Sequence, residues 1–255
     1  MNIKDTSFIK SFQCFRKKEL PMFLYTAVFD LIFYFILILS IIIFMKYILP
    51  EAAFLFKTKS FVDGMQNMPM TSLFALGQEI NNSLYTFGIF SGLILITLLS
   101  SFSFFKGLIW AKIFNEKFTS KKFLYLLVLN FSLLLFTILL FGFTSNYIVV
   151  SIQAGFFSFI VFPILVHIAH NANALLVLGK LNKFFKTTFK KIYLYIIPYI
   201  IIVGTAMLLL LFLSFIALTF KSIPFNIRIF INMLIFIAYF NWAKRYIGLI
   251  IKKAL

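Results

Sequence analysis

The chain has 255 residues, of which 62% are hydrophobic and only 12% charged. Water-soluble domains carry roughly 25% charged and about 45–50% apolar residues, so a soluble globule is excluded, and the same apolar excess excludes disorder. The formal charge of +17 comes from 24 Lys+Arg against 7 Asp+Glu; it is interleaved with long apolar runs, which points to anionic lipid headgroups and not to nucleic acid.

Residues 1–21 read as a cytoplasmic amphipathic segment. Phe8, Ile9, Phe12 and Phe15 recur at helical spacing among Lys10, Arg16 and Lys17, the pattern of a helix lying in the headgroup plane. Cys14 is the only cysteine, which leaves no internal disulfide and no cysteine metal cluster. The first apolar run is far longer than the roughly 7–15 residues of a signal-peptide core, so it is expected to stay in the membrane.

A membrane-spanning helix needs roughly 20 apolar residues. Six stretches meet that requirement, together forming a transmembrane domain over residues 22–243. Span one covers residues 22–47 and carries Asp30 in its interior and Lys46 near its end. An external loop, residues 49–82, follows; its Met65, Met68 and Met70 read as flexible apolar lining. Span two covers residues 83–105 and contains Gly88 and Gly92 in a GxxxG pattern, which predicts close helix packing. Between Phe123 and Gly179 there is no Lys, Arg, Asp or Glu. The turn signal Gly142-Phe143-Thr144-Ser145-Asn146 divides this run into span three, residues 123–141, and span four, residues 147–176. A lysine-rich amphipathic stretch, residues 181–192, leads to span five, residues 192–220, where Pro198 is tolerated in a membrane helix. Span six covers residues 224–243, with Arg228 in its first turns. Residues 244–255 form a cytoplasmic tail whose Tyr246, Ile247, Ile250 and Ile251 repeat the interfacial pattern.

The predicted fold is therefore all-α: a polytopic six-helix bundle with cytoplasmic interfacial helices. Its orientation follows from the positive-inside rule. Nineteen of the 24 basic residues fall in the N-terminal segment, the second-to-third and fourth-to-fifth connections and the tail, which alternation places on one side. Both termini are expected in the cytoplasm and the protein in the cell membrane. The only tryptophans, Trp110 and Trp242, each sit in Trp-Ala-Lys at the cytoplasmic ends of spans two and six.

Asp30 is the one acid inside a predicted span. A carboxylate at the middle of a membrane helix costs roughly 2.5–3.5 kcal/mol unless it is paired or neutral. At 1.5 Å per residue Asp30 lies about 18 Å from Lys18, Asn130 about 12 Å from Lys122 and His170 about 15 Å from Lys180. Asp30, Asn130, His167, His170 and Asn171 thus fall in one cytoplasmic half of the bundle. Three readings stand for this layer: hydrogen bonds that pin helix packing, a polar transport site with Asp30 exchanging protons with a histidine, or a metal held by His167, His170 and Asp30. No cofactor is expected.

The chain lacks G-x-S-x-G, H-E-x-x-H and P-loop motifs, which argues against most hydrolases and against a nucleotide-driven motor within it. The functional expectation is a permease-type bundle or permease subunit. The alternatives are a non-catalytic membrane scaffold or assembly protein and, more distantly, a small metalloenzyme using His167, His170 and Asp30. Six spans, inside termini and an amphipathic N-terminal helix are similar in outline to the membrane subunits of ABC-2-type exporters. The very short fifth-to-sixth connection departs from them. That outline implies a soluble ATPase or another membrane subunit as partner.

Overall fold

The computed structural model describes residues 7–12, 19–61, 69–145, 162–219 and 224–255. Among these residues every regular element is a helix: α1 (Ser7–Ser11), α2 (Leu20–Ile43), α3 (Leu49–Phe61), α4 (Met70–Phe114), α5 (Ser120–Ser145), α6 (Phe162–Val177), α7 (Tyr193–Thr219) and α8 (Phe225–Ala254). A π-turn over Phe44–Ile48 joins α2 to α3 without a break. Short 3-10 and π turns, Leu181–Lys183 and Lys186–Lys190, connect α6 to α7.

Five helical stretches are long and apolar enough to cross a membrane: Leu20–Thr58, Met70–Phe114, Ser120–Leu139, Tyr193–Phe215 and Phe230–Ala254. Half of the expected fourth span, from residue 147 to residue 161, lies outside the described residues. Its described part falls in α6, whose Ile164–Val177 is a shorter apolar helix.

Three boundaries differ from the sequence reading. The expected loop 49–82 is helical on both sides of residues 62–68: α3 occupies its start, and α4 begins at Met70. Pro50 stands inside the continuous helix of α2 and α3, directly after the π-turn, where its missing N–H removes one helical hydrogen bond, as membrane helices tolerate. Pro69 precedes α4, and its carbonyl accepts from the N–H groups of Ser72 (3.0 Å) and Leu73 (3.2 Å). Pro69 thus starts a helix instead of signalling a loop. Second, α5 runs straight through Gly142 to Ser145, because a single glycine is compatible with an apolar membrane helix. Third, residues 244–255 are the last turns of α8, not a separate tail.

Two of the helix ends carry the same local signature. Asn115 (φ 57°) and Gly179 (φ 67°) adopt the left-handed conformation. Asn115 N–H donates to Lys112 O and Glu116 N–H to Ala111 O, while Gly179 N–H donates to Leu176 O and Lys180 N–H to Leu175 O. This Schellman pattern satisfies the last carbonyls of α4 and α6.

Contacts divide the chain into two compact units, Met1–Leu31 with Ser103–Leu255, and Ile32–Phe102. Within the second, aromatic pairs join α2 to α4, with Phe33 against Phe102 at 5.7 Å and Tyr47 stacked on Phe90 at 5.4 Å. The larger unit holds the core. It is built from the ends of helices: Trp110 and Phe114 of α4, Leu126 of α5, Leu175 and Val177 of α6, Tyr195 of α7 and a run from Trp242 to Ala254 of α8. In α8 56% of the apolar window is buried, against 6–11% in the other four stretches. Those four turn most of their surface outward, as lipid-facing helices do.

The tail pattern Tyr246, Ile247, Ile250 and Ile251 therefore faces the protein's own core and not a headgroup layer. The same holds for part of α1: Phe8 packs edge-on against Trp242 and Tyr246 at 6.2 and 5.8 Å, and Trp242 Nε1 donates to Ser11 Oγ at 2.8 Å. The amphipathic stretch 181–192 is broken into 3-10 and π turns instead of one regular helix.

Close helix approach uses glycines other than the predicted pair. A Cβ on Gly88 or Gly92 would meet nothing within 4 Å. A Cβ on Gly107 would lie 2.3 Å from the Phe118 ring and 2.8 Å from Leu126, and one on Gly248 would lie 2.9 Å from Ile113. The notch at Gly107 receives Phe118, the aromatic side chain of the turn between α4 and α5. Gly107→Ala is expected to expel that ring and lower stability by about 1–3 kcal/mol, with part of the loss recovered in Gly107→Ala/Phe118→Ala. Gly88→Ala and Gly92→Ala should leave the thermal midpoint in detergent unchanged. Equal midpoints for all these variants would contradict the packing described.

Candidate functional site

Asp30 lies ten residues into α2, Lys106 eight residues before the end of α4, and Lys244 ten residues before the end of α8. At 1.5 Å per residue all three sit about 12–15 Å in from their helix ends. The helices bring them together. Lys106 Nζ stands 3.2 Å from Asp30 Oδ1, and Lys244 Nζ pairs with Oδ2 of the same carboxylate. Asp30 is 1% exposed, and the lysine side chains are 16% and 10% exposed. Each carboxylate oxygen has its own ammonium, so the acid is matched where water is excluded.

Sequence analysis assigns both lysines to cytoplasmic segments, Lys106 to a connection and Lys244 to the tail. Both lie inside helices and meet Asp30, and no histidine partners the acid at hydrogen-bonding distance among the described residues. A signal for the pairing exists in the sequence. Lys106 is followed by Gly107-Leu108-Ile109-Trp110-Ala111, and Lys244 by a further apolar stretch after Arg245. A lysine with apolar helix on both sides needs a carboxylate.

The other expected site residues form two neighbouring groups. Asn130 of α5 donates to Ser103 Oγ of α4 at 2.9 Å, a buried hydrogen bond between helices. His167 of α6 is the hub of the second. Its Nε2 faces the Thr188 carbonyl at 3.1 Å and its Nδ1 faces Tyr199 Oη at 3.0 Å and Asn171 Nδ2 at 3.2 Å. A carbonyl only accepts, so Nε2 carries the proton, and Nδ1 accepts from the tyrosine hydroxyl and the amide of a neutral ring. Tyr195 Oη completes the chain by donating to Asn171 Oδ1 at 2.7 Å. Sequence reasoning missed Tyr195, Tyr199 and Thr188. Both tyrosines sit in the first turns of α7, where aromatic residues read as ordinary interface anchors.

His170 faces another way. Its Nδ1 donates to the Val166 carbonyl one turn back at 3.0 Å, and its ring meets Trp110 edge-on at 6.0 Å. Lys106 and Lys244 act electrostatically on it. Among the described residues, no three His, Cys, Asp or Glu side chains gather around a common point.

Chemically, the Asp30 cluster is one carboxylate between two lysine side chains. The His167 cluster is a set of neutral groups that satisfy one another. Removing the carboxylate leaves two sequestered ammonium groups without a counter-charge. Asp30→Ala is expected to destabilise the protein by about 3–5 kcal/mol, the range for removing one member of a buried ion pair. Lys244→Met should cost less, because Lys106 still serves the acid. Unfolding by denaturant in detergent measures both; a loss under about 0.5 kcal/mol for Asp30→Ala, the scale of ordinary surface substitutions, would contradict the buried pairing. The chain matches no protein-family model, no curated protein and no solved structure, so its function is argued from this geometry alone.

Proposed function

We propose that the chain is a cell-membrane protein that crosses the bilayer six times, has both termini in the cytoplasm, and works as a permease-type bundle or the membrane subunit of one. The uneven distribution of lysine and arginine along the chain supports the orientation. The observation that carries the transport reading is the Asp30–Lys106–Lys244 cluster. A structural clasp between helices needs one cation per carboxylate. Two leave an excess positive charge, which is expensive at membrane depth, and ionisable groups retained there characteristically serve ion or proton movement. In this reading Asp30 holds or releases a proton while the lysines hold an anion or the carboxylate in turn. If the chain is a subunit, a soluble ATPase is the expected partner at its cytoplasmic connections.

A second reading, a non-catalytic scaffold, has its own support in the His167 cluster. There Asn171, Tyr195 and Tyr199 use their hydrogen-bonding groups on one another and on the ring, which is how a packing device behaves.

The two separate in reconstituted vesicles. With a pH dye trapped inside and chloride as the permeant anion, an imposed pH step should decay faster with the wild-type chain than in empty vesicles. Asp30→Asn and Lys244→Gln should remove that excess rate, provided that both variants still reconstitute as folded protein. Equal decay for wild type and empty vesicles would contradict proton-linked transport and favour the scaffold.

A further inference from the structure

The larger unit contains a second charged feature that the Asp30 cluster does not use. Where α2 begins and α4 and α8 end, an open cavity of about 410 Å³ is lined by Glu19, Lys112, Asn115, Arg245 and Lys252, with Gly248 at its wall. That volume falls within the range of small-molecule sites. It lies beyond the Asp30 cluster toward the helix ends, by about 9 Å along α4 from Lys106 to Lys112 and about 12 Å along α8 from Lys244 to Lys252.

Three cations and one acid line the cavity. Glu19 pairs with Arg245 Nη2. Lys112 Nζ stands 5.1 Å from the Tyr25 ring centroid and Lys252 Nζ stands 5.4 Å from that of Phe114. Aromatic faces hold these ammonium groups in place without neutralising them. Arg245 is mostly buried, and its Nε has no hydrogen-bond partner among the described residues. With Glu19 balancing Arg245, Lys112 and Lys252 leave the cavity lining two positive charges in excess. The missing chemistry is a compact anion with several acceptor oxygens. A phosphate group supplies it: it takes arginine's donors and accepts from lysine ammonium groups as point charges.

We propose that this cavity is a binding site for a phosphate group, presented either by the headgroup of an anionic lipid or by a free phosphate. Its position at the lysine-bearing helix ends favours the lipid, since basic pockets between membrane helices take such headgroups. Arg245 is the more enclosed of its cations, and the exposed Lys112 and Lys252 form the rim. The inference is independent of the transport reading, since a scaffold would use the same anchor.

Native mass spectrometry of the full chain in detergent tests it, with phosphatidylglycerol and phosphatidylcholine as lipid probes. A parallel thermal-shift titration uses inorganic phosphate, with sodium chloride at matched ionic strength as control. Wild type should retain phosphatidylglycerol over phosphatidylcholine. The rim variant Lys112→Gln/Lys252→Gln, whose side chains lie outside the core, should lose that preference by on the order of tenfold. Arg245→Gln should lose it as well; if this variant fails to fold, the rim variant decides alone. Stabilisation by inorganic phosphate above the chloride control, absent in the rim variant, without lipid preference, would support the site with free phosphate as its occupant. Equal retention of both lipids with no phosphate-specific shift, or unchanged binding of both probes in the rim variant, would overturn the proposal.

Discussion

A carboxylate withdrawn from water within an apolar bundle has to be met by cations at its own depth. Asp30 imposes that condition on three helices at once. Its two oxygens are taken by Lys106 of α4 and Lys244 of α8, so the register of α2 against both is fixed to within one helical turn. A slip of one turn, about 5.4 Å, would separate the charges and leave each exposed to a medium that solvates none of them. Apolar side chains alone do not select a register this sharply inside a lipid bilayer, where the tails are as apolar as the helices.

Once that register is set, the rest of the larger unit follows from which surfaces remain to be covered. The C-terminal turns of α4 and α8 lie beyond the charge cluster and bear Trp110, Phe114, Trp242, Tyr246 and Ile250, which pack with the ends of α5 and α6 and the start of α7 into one core. The neutral network around His167 joins the same region from α6 and α7 and ties in the connecting turn through the Thr188 carbonyl. Away from this end, the helices turn apolar side chains outward. Lipid accepts such surfaces without cost, so a membrane chain can concentrate its specific contacts at one end.

Much of this was legible in the sequence, and the limits have physical causes. The long charge-free runs announced helices able to cross a membrane, and the isolation of Asp30 announced a group in need of a partner. The choice of partner failed because lysines next to apolar runs were read as markers of the water boundary. Lys106 and Lys244 are flanked on both sides by helix, and in that context a lysine belongs to the interior if a carboxylate is at hand. The histidines looked like the natural match for an acid because they fall in the same half of the bundle, yet side chains three residues apart on a helix still stand about 60° apart, and His167 and His170 meet different partners. The fate of α8's last turns was hidden for a related reason. An amphipathic stripe fits a headgroup plane or a protein core equally well, and only tertiary packing distinguishes them. The expected loop 49–82 contains Pro50 and Pro69, yet a proline just before a first turn, as Pro69 is, also signals a helix start.

The central claim is that a single charge cluster sets the arrangement of α2, α4 and α8. The measurement that bears on it most directly is the denaturant midpoint, in detergent, of the charge-exchanged protein Asp30→Lys/Lys244→Asp beside its two single variants. Exchange restores the oppositely charged pair at positions 30 and 244 that each single variant breaks, while Lys106 then faces a lysine, so the account predicts that each single variant is strongly destabilised and that the double variant regains part of the lost midpoint. A double variant as unstable as the sum of the two singles would show that the charges do not act on one another, and would contradict the account.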